Sequence, residues 1–299
     1  ICWNVTGGEA TLKKVAKKNH GLDFEGEEIR EILRRIHTAF PKHEICCGEF
    51  CCCRLVAWAG NMNDAVNCLM LTERSIRETI ALGVIPNGLM NDFAHFWGFR
   101  ESDYEQTIKW LKQRRVRKID LGCIRYTNKH GEACRRYFLN CINIGLIAAI
   151  MNLRRKTHHI FGSRTLSFLC SFILMIFQRL DYKMYVKINS DVIRHRVMTM
   201  CIGNGTGYGQ TPNAVPYNGL LDVSVVSHPK MTQLFEGIYL FVKGKFLNHK
   251  SVHPYRTREI EVLEAQYALI GIDGRLMNTP VGPFQITVIQ EVINFLIPA

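Results

Sequence analysis

Apolar positions recur with two different periods along this 299-residue chain, and the period changes part-way. Residues 27–39 (EEIREILRRIHTA) place Ile29, Ile32, Leu33 and Ile36 at helical spacing with charges between them, which predicts an amphipathic helix. RLVAWAG (54–60) predicts a buried strand entering a turn, residues 63–70 a helix, and IALGVIP (80–86) another short buried strand. Strand, turn, helix and strand in such quick succession predict a parallel α/β sheet with helices packed on it. Beyond Asp120 the pattern changes. LGCIRYT, the turn residues Asn128–Gly131 and ACRRYFLNCINIG predict a hairpin, and further strands are expected over 182–188, 197–202, 221–226, 258–263, 267–272 and 284–289. Helices there are expected chiefly over 165–179 and near 230–242. The second part therefore reads as mostly antiparallel and β-rich, with a boundary close to Asp120.

Two segments interrupt these patterns. Residues 202–223 (IGNGTGYGQTPNAVPYNGLLDV) hold five glycines and two prolines before running into an alternating apolar strand. That density of turn residues forces tight backbone geometry. GVIPNGLMNDFAHF (83–96) breaks an apolar run at Pro86-Asn87-Gly88 and resumes as a helix opening at Asn91-Asp92.

Composition narrows the class. At 47% hydrophobic and 21% charged the chain is an ordinary globular protein, and its length favours two domains. The net charge of +12 draws it to anionic surfaces. KWLKQRRVRK (109–118) and RRKTHH (154–159) concentrate the cations, the first read as a solvated helix face or a phosphate- or membrane-binding patch. No RNA- or DNA-binding motif with base-stacking aromatics interleaves with these charges, so nucleic acid is not the expected partner. LSFLCSFILMIF (166–177) would span about 18 Å as a helix, short of the ~20 residues that cross a bilayer, and is expected to be buried. The opening ICWNVTGG has no secretory-signal pattern. Of twelve cysteines, five crowd into residues 46–53. Cys47 and Cys51 have a zinc-like spacing but no second ligand pair follows, so reduced, small-hydrophobe cysteines of a cytosolic protein are expected.

The chemistry-bearing candidates sit at the turns. AWAGNMND (57–64) and PNGLMND (86–92) are turns entering helices, where backbone N–H groups and the helix dipole favour phosphate. Asp92 opens a helix, where an N-terminal cap explains it equally well. Asp120 ends a strand at the proposed boundary, and Asp273 lies in a Gly-containing turn between strands, where a hairpin role is the plainer reading. Three such carboxylates converging on one cleft would suit Mg²⁺ bound to ATP.

These segments carry a resemblance. GVIPNGLMNDFAHFWG (83–98), RKIDLG (117–122), YFLNCINIG (137–145), QTPNAVPYNGLLDV (210–223), VKGK (242–245) with Arg258–Val262, and IDGRL (272–276) follow one another as in the bacterial lipid kinases of the diacylglycerol kinase and sphingosine kinase superfamily. The resemblance implies an N-terminal phosphofructokinase-like α/β nucleotide domain and a C-terminal β-sandwich-like domain. It implies residues 1–121 for the first, completed by about 289–299, and 122–288 for the second, with ATP between them. It places Thr6, Gly60, Asn61, Asn63, Gly88, Asn91 and Asp92 at nucleotide-binding positions, and ties Asp92 and Asp120 to the metal-water network. It gives Val215, Asn218 and Leu220 to a loop holding a structural Mg²⁺, and makes Asp273 the general base.

Several motif positions depart from the family. Its GGDGT loop reads Ala57-Trp58-Ala59-Gly60-Asn61, its Gly-Thr-Gly-Asn reads Gly88-Leu89-Met90-Asn91, its Asp-Gly-Glu carries Arg275 in place of the glutamate, and Asn218 replaces an aspartate. An indole at Trp58 should obstruct a loop whose backbone must approach phosphate. Two functions therefore stand as expectations. One is an ATP- and Mg²⁺-dependent kinase acting on a diacylglycerol-like lipid, cytoplasmic and peripheral at the anionic inner membrane face. The other is a relative that binds lipid or membrane without turning ATP over. A homodimer is left open.

Overall fold

In the computed structural model the described residues are 2–5, 62–87, 91–100, 103–161, 181–227, 230–277, 280 and 282–298. The helix expected over 27–39, the strand at 54–60, the cysteine cluster 46–53 and the apolar stretch 165–179 lie outside them. The chain divides into two compact units, Ile1–Ile119 with Glu291–Ala299, and Asp120–Gln290.

The first unit opens with strand β1 (Cys2–Val5), followed by helix α1 (Met62–Leu71) and a single helical turn, α2 (Arg74–Arg77). Strands β2 (Ala81–Leu82) and β3 (Val84–Asn87) come next, and β1 runs parallel to β3 with Trp3 opposite Ile85. Helix α3 (Asp92–Phe96) is short, and α4 (Tyr104–Gln113) starts where the Asp103 side chain accepts the Gln106 N–H at 3.0 Å. Helix α4 buries Ile108 and Leu111 and ends at Arg114, which adopts a left-handed conformation (φ 53°). The basic run 109–118 is therefore not one helix face: it spans a helix end, a turn and the start of the next strand.

That strand, β4 (Val116–Thr127), enters the second unit and forms the expected hairpin with β5 (Ala133–Phe138). Gly122 faces Phe138 across the pair, and the Phe138 ring lies where a Gly122 side chain would stand, 1.9 Å from the position of a Cβ. A second strand, β6 (Cys141–Gly145), follows two residues later and pairs elsewhere. Gly145 turns the chain at φ 98° straight into helix α5 (Leu146–Phe161). The left-handed glycine lets the apolar run LIAAIM, for which no element was expected, form the first turns of a helix.

Strands β7 (Tyr182–Ile188) and β8 (Asp191–Gly203) form a hairpin. Alternation in β7 is clean: Tyr182, Met184, Val186 and Ile188 point into the core. The long β8 serves two groups of strands. Its first half pairs with β7, and its second half pairs with β6 on one side and with β9 (Leu221–Ser227) on the other, with a register shift at 197–199. Long strands that switch partners at such an irregularity are how two packed sheets share a corner. Helix α6 (Met231–Val242) and strand β10 (Val252–Thr257) follow, β10 pairing with β9. Across that pair Arg256 binds Asp222 with two hydrogen bonds, of 2.6 and 3.2 Å, which holds the Arg256 guanidinium pKa above its usual value. Strand β11 (Glu259–Ala265), the small hairpin β12 (Ile270–Ile272) with β13 (Arg275–Met277), and β14 (Phe284–Leu296) complete the chain.

Ile142, Ile144, Met200, Val223, Ile260 and Ile286 are among the fully or almost fully buried side chains of the second unit's core. The end of β14 returns to the first unit, pairs in parallel with β2, and inserts Phe295 against Phe93 at 5.3 Å and Trp97 at 5.5 Å.

Two outcomes test this packing. Gly122→Val should lower the thermal midpoint, with about 1–3 kcal/mol lost to overpacking against Phe138. Cys123, Cys141 and Cys201 are buried, whereas Cys134 is partly open. Burial pushes the Cys123 thiol pKa up, so it stays protonated at neutral and mildly alkaline pH. Peptide mapping after alkylation of the native protein should find Cys134 labelled and those three spared.

Candidate active site

The junction between β5 and β6 has a backbone problem. β5 pairs with β4 whereas β6 pairs with β8 and β12, so the N–H groups at the switch have no continuous ladder to enter. Asp273 solves it. Its carboxylate accepts the N–H groups of Leu139 (2.8 Å), Asn140 (2.9 Å) and Cys141 (2.9 Å), while its own N–H donates to the Cys141 carbonyl at 3.0 Å. Asp273 can reach them because the β12–β13 turn is a two-residue Asp-Gly turn with both φ values positive, 44° and 82°. The hairpin reading and the candidate-base reading of Asp273 thus fall on one half-buried residue.

The other side of the junction organises the glycine-rich loop. The Asn140 carbonyl accepts the N–H groups of Asn204 and Gly205, both at 2.8 Å, and its side-chain oxygen accepts the Gly207 N–H. The fully buried Asn204 donates its side-chain amide to the carbonyls of Leu139 (2.9 Å) and Asp120 (3.0 Å). Gln210 donates to the Asn143 side chain at 2.9 Å, and the Thr211 hydroxyl donates to the Gly205 carbonyl at 2.8 Å. Turn composition marked this stretch as tight backbone, and Asn140, Asn143 and Gln210 lie in segments that carry the resemblance, but none of them, nor Asn204, was singled out as a candidate.

Asp120 is 1% exposed and joins the same network. Its N–H donates to the Pro216 carbonyl and its carboxylate accepts the Gly219 N–H at 2.7 Å, which pins the 215–220 loop against β4. Within that loop the Val215 carbonyl accepts the Tyr217 and Asn218 N–H groups, and the Asn218 side chain accepts the Leu220 N–H at 2.9 Å. The oxygens of Val215 and Asn218 close the loop on itself, Asn218 is neutral, and the Asp120 carboxylate is engaged by Gly219.

The structure therefore brings together Asp120, the Val215–Leu220 loop and, through Asn204 and Leu139–Cys141, Asp273. The remaining described candidates belong to the first unit. Asn63 is 1% exposed in α1 and its side-chain oxygen accepts from Asn67. Asn91, also buried, holds the capping position of α3 without a side-chain cap bond, and half-buried Asp92 stands one residue inside the helix. The capping reading of Asp92 is thus displaced by one residue. Thr6, Gly60, Asn61 and Gly88 lie outside the described residues. Asp92 belongs to the first unit and Asp120 and Asp273 to the second, and among the described residues no three His, Cys, Asp or Glu side chains gather as a metal site.

Comparison with known proteins decides the family. The model of the family described as the YegS C-terminal NAD kinase beta sandwich-like domain matches residues 141–297, and that of the diacylglycerol kinase catalytic domain matches residues 51–124. The chain belongs to the diacylglycerol kinase catalytic-domain superfamily. No curated protein matches it significantly. Among solved structures, a diacylglycerol kinase from Bacillus anthracis str. Sterne aligns with a TM-score of 0.62 at 18% identity, over 99% of this chain and 95% of that one. Two further structures from the same organism align at TM-scores of 0.65 and 0.66, with 18% and 16% identity, over 99% of this chain and 96% and 95% of theirs. At such identities the likeness shows the shared fold: a mixed α/β N-terminal region and a C-terminal β-sandwich-like domain. The network around Leu139–Cys141 thus lies in the sandwich-like half of a diacylglycerol kinase-like chain. No helix among its described residues is long and apolar enough to cross a membrane.

Asn204 gives a direct test of the network. Asn204→Asp keeps the shape but turns both donors into acceptors facing two buried carbonyls. It should destabilise the protein by roughly 2 kcal/mol or more, read by denaturant melting, and Asn204→Ala by somewhat less.

Proposed function

We propose that this chain is an ATP-dependent lipid kinase that phosphorylates the hydroxyl of a diacylglycerol-like lipid, with Asp273 as the proton acceptor. The observation that carries the reading is the fixed carboxylate of Asp273. Three backbone N–H groups orient it and it is half-buried, so its carboxylate is held in one direction, as a proton acceptor for a substrate hydroxyl must be. As Asp273 takes the hydroxyl proton, the lipid oxygen bonds to the γ-phosphorus and the bond to the bridging oxygen breaks, releasing ADP.

Thr6, Gly60, Asn61, Gly88, Asn91 and Asp92 are the positions proposed to hold the nucleotide. Magnesium arriving with ATP takes most of its ligands from phosphates and water, so it needs one or two carboxylates rather than a cluster; Asp92 is the proposed one. Bound there, the ion would offset charge on the phosphates. The 215–220 loop supports Asp120, and Val215, Asn218 and Leu220 are the positions proposed for a structural magnesium ion. The proposed setting is the cytoplasmic face of an anionic membrane.

A second reading has its own observation. The three bonds that orient Asp273 also give it a complete structural role, and Arg275 stands two residues on, where the family carries a glutamate. Together with Trp58 and Ala59 in the first phosphate loop, this favours a relative that binds lipid without turnover.

A radiolabelled-ATP assay over a lipid panel, with calorimetric titration of Mg-ATP, separates the two. The kinase reading expects labelled diacylglycerol-like product and a fall of about 10²-fold or more in kcat for Asp273→Asn. It also expects that variant to stay folded at the assay temperature and to keep its affinity for Mg-ATP. Turnover equal to wild type in the variant would remove Asp273 as base. A wild type that binds no Mg-ATP and labels no lipid would leave the second reading.

A further inference from the structure

Helix α6 carries two faces of different character. Leu234 is buried against Leu146 and Ile150 of α5, and Ile238 packs beside it. Turned away from that contact, Phe235 and Tyr239 are each 61% exposed and stand four residues apart, one above the other on the helix. Phe241, 37% exposed, stacks edge-on against Phe246 at 5.6 Å. Single exposed apolar residues need no explanation, but adjacent large aromatics on one helical stripe mark a surface that meets something.

The charges around the stripe say what. Lys230 precedes the helix, and Lys243, Lys245 and Lys250 follow it, all exposed, against one exposed acid on the helix, Glu236. Lys243 reaches over the Tyr239 ring, its Nζ 5.8 Å from the centroid. The segment bearing the last lysines is fixed to the helix. His249, 4% exposed, meets the Gln233 carbonyl through Nε2 at 2.8 Å and accepts the Ser251 N–H at Nδ1. Aromatic rings with an apolar body, flanked by lysines whose stems can run along apolar surface while their heads reach phosphate, match the boundary between acyl chains and headgroups.

We propose that this face of α6 docks on an anionic bilayer surface, Phe235 and Tyr239 entering the headgroup boundary and the flanking lysines pairing with lipid phosphates. The proposal deepens the lipid-kinase reading and rests on it for the reason to visit a bilayer. It requires no ATP turnover, so the two can fail separately.

The test is co-sedimentation of the full chain, without nucleotide, with vesicles of phosphatidylcholine alone or with roughly one-third phosphatidylglycerol. The wild type should pellet with the anionic vesicles, and added salt should weaken binding. Phe235→Ser combined with Tyr239→Ser should reduce the partition coefficient by about ten-fold or more, as should Lys243→Glu with Lys245→Glu. Tyr267→Ser, at an aromatic residue 95% exposed on another turn, should leave binding unchanged. All these positions are exposed, and matched melting curves would establish that the variants fold. The proposal is overturned if the wild type ignores anionic vesicles, if the aromatic double variant pellets as well as wild type, or if Tyr267→Ser loses as much. It is equally overturned if the double variant instead changes the oligomeric state in sedimentation velocity, since the face would then belong to a second copy. Vesicle binding that needs the stripe, in a protein without kinase activity, would sink the kinase reading and leave this surface standing.

Discussion

Three N–H groups on one carboxylate, Leu139, Asn140 and Cys141 on Asp273, are the contact from which the second unit's strand junction is built. Their origin is topological. A chain that leaves one strand pair and joins another within two residues must present unladdered donors, and burying them without partners would cost about 1–3 kcal/mol each. An acceptor-only side chain answers all three at once. An asparagine could not, because half of its amide would turn an NH₂ group toward a donor. Once the junction is fixed, its carbonyls face the other way and hold Asn204, Gly205 and, through Asn204, Asp120. A glycine-rich loop that would otherwise sample many conformations is thereby tied to two strands and one hairpin turn.

The same contact bears on chemistry. A base for phosphoryl transfer gains from being held in one orientation, and Asp273 is held by backbone rather than by mobile side chains. Orientation of this kind does not distinguish a working site from a retired one, because the donors need the carboxylate whether or not a substrate arrives. The scaffold gives its own reason to retain Asp273, so the residue's presence carries less functional information than its role in the superfamily suggests.

How much of this was legible in the sequence follows from the range of the interactions. Local periods announced the strands: β7 alternates cleanly and was read to its ends, and the β4–β5 hairpin followed from its Asn128–Gly131 turn. That the second half is β-rich was legible for the same reason, whereas its sandwich-like architecture followed only from the resemblance. Helix α5 was missed because its apolar opening follows β6 without a polar break, and only the positive φ of Gly145 separates them. Strand β10 was missed because Pro254 and the exposed His253 and Arg256 hide its alternation. The site was harder. Asp273 meets partners more than 130 positions away, and Asp120 meets Gly219 from 99 away, distances at which no local pattern carries information. Asn204 looked like one more turn residue among glycines, although its amide joins Asp120 to Leu139.

The 215–220 loop explains how a family signature can outlast the chemistry it marks. Its shape is set by the Pro216 carbonyl on the Asp120 N–H, the Gly219 N–H on the Asp120 carboxylate, and the Asn218 side chain on the Leu220 N–H. Only the last involves residue 218, where the amide oxygen of a neutral asparagine accepts the Leu220 N–H. Asp222 of the same block is held by Arg256 across the β9–β10 pair, and Gln210 and Thr211 lock the glycine loop. The QTPNAVPYNGLLDV block is thus held at several of its residues by packing and hydrogen bonding. Replacement of the loop's aspartate by Asn218 removes a ligand charge while leaving the support beneath Asp120 in place. A sequence can therefore keep this block intact under selection for the fold alone, and evidence for catalysis has to come from the nucleotide-facing turns and from Asp273 itself.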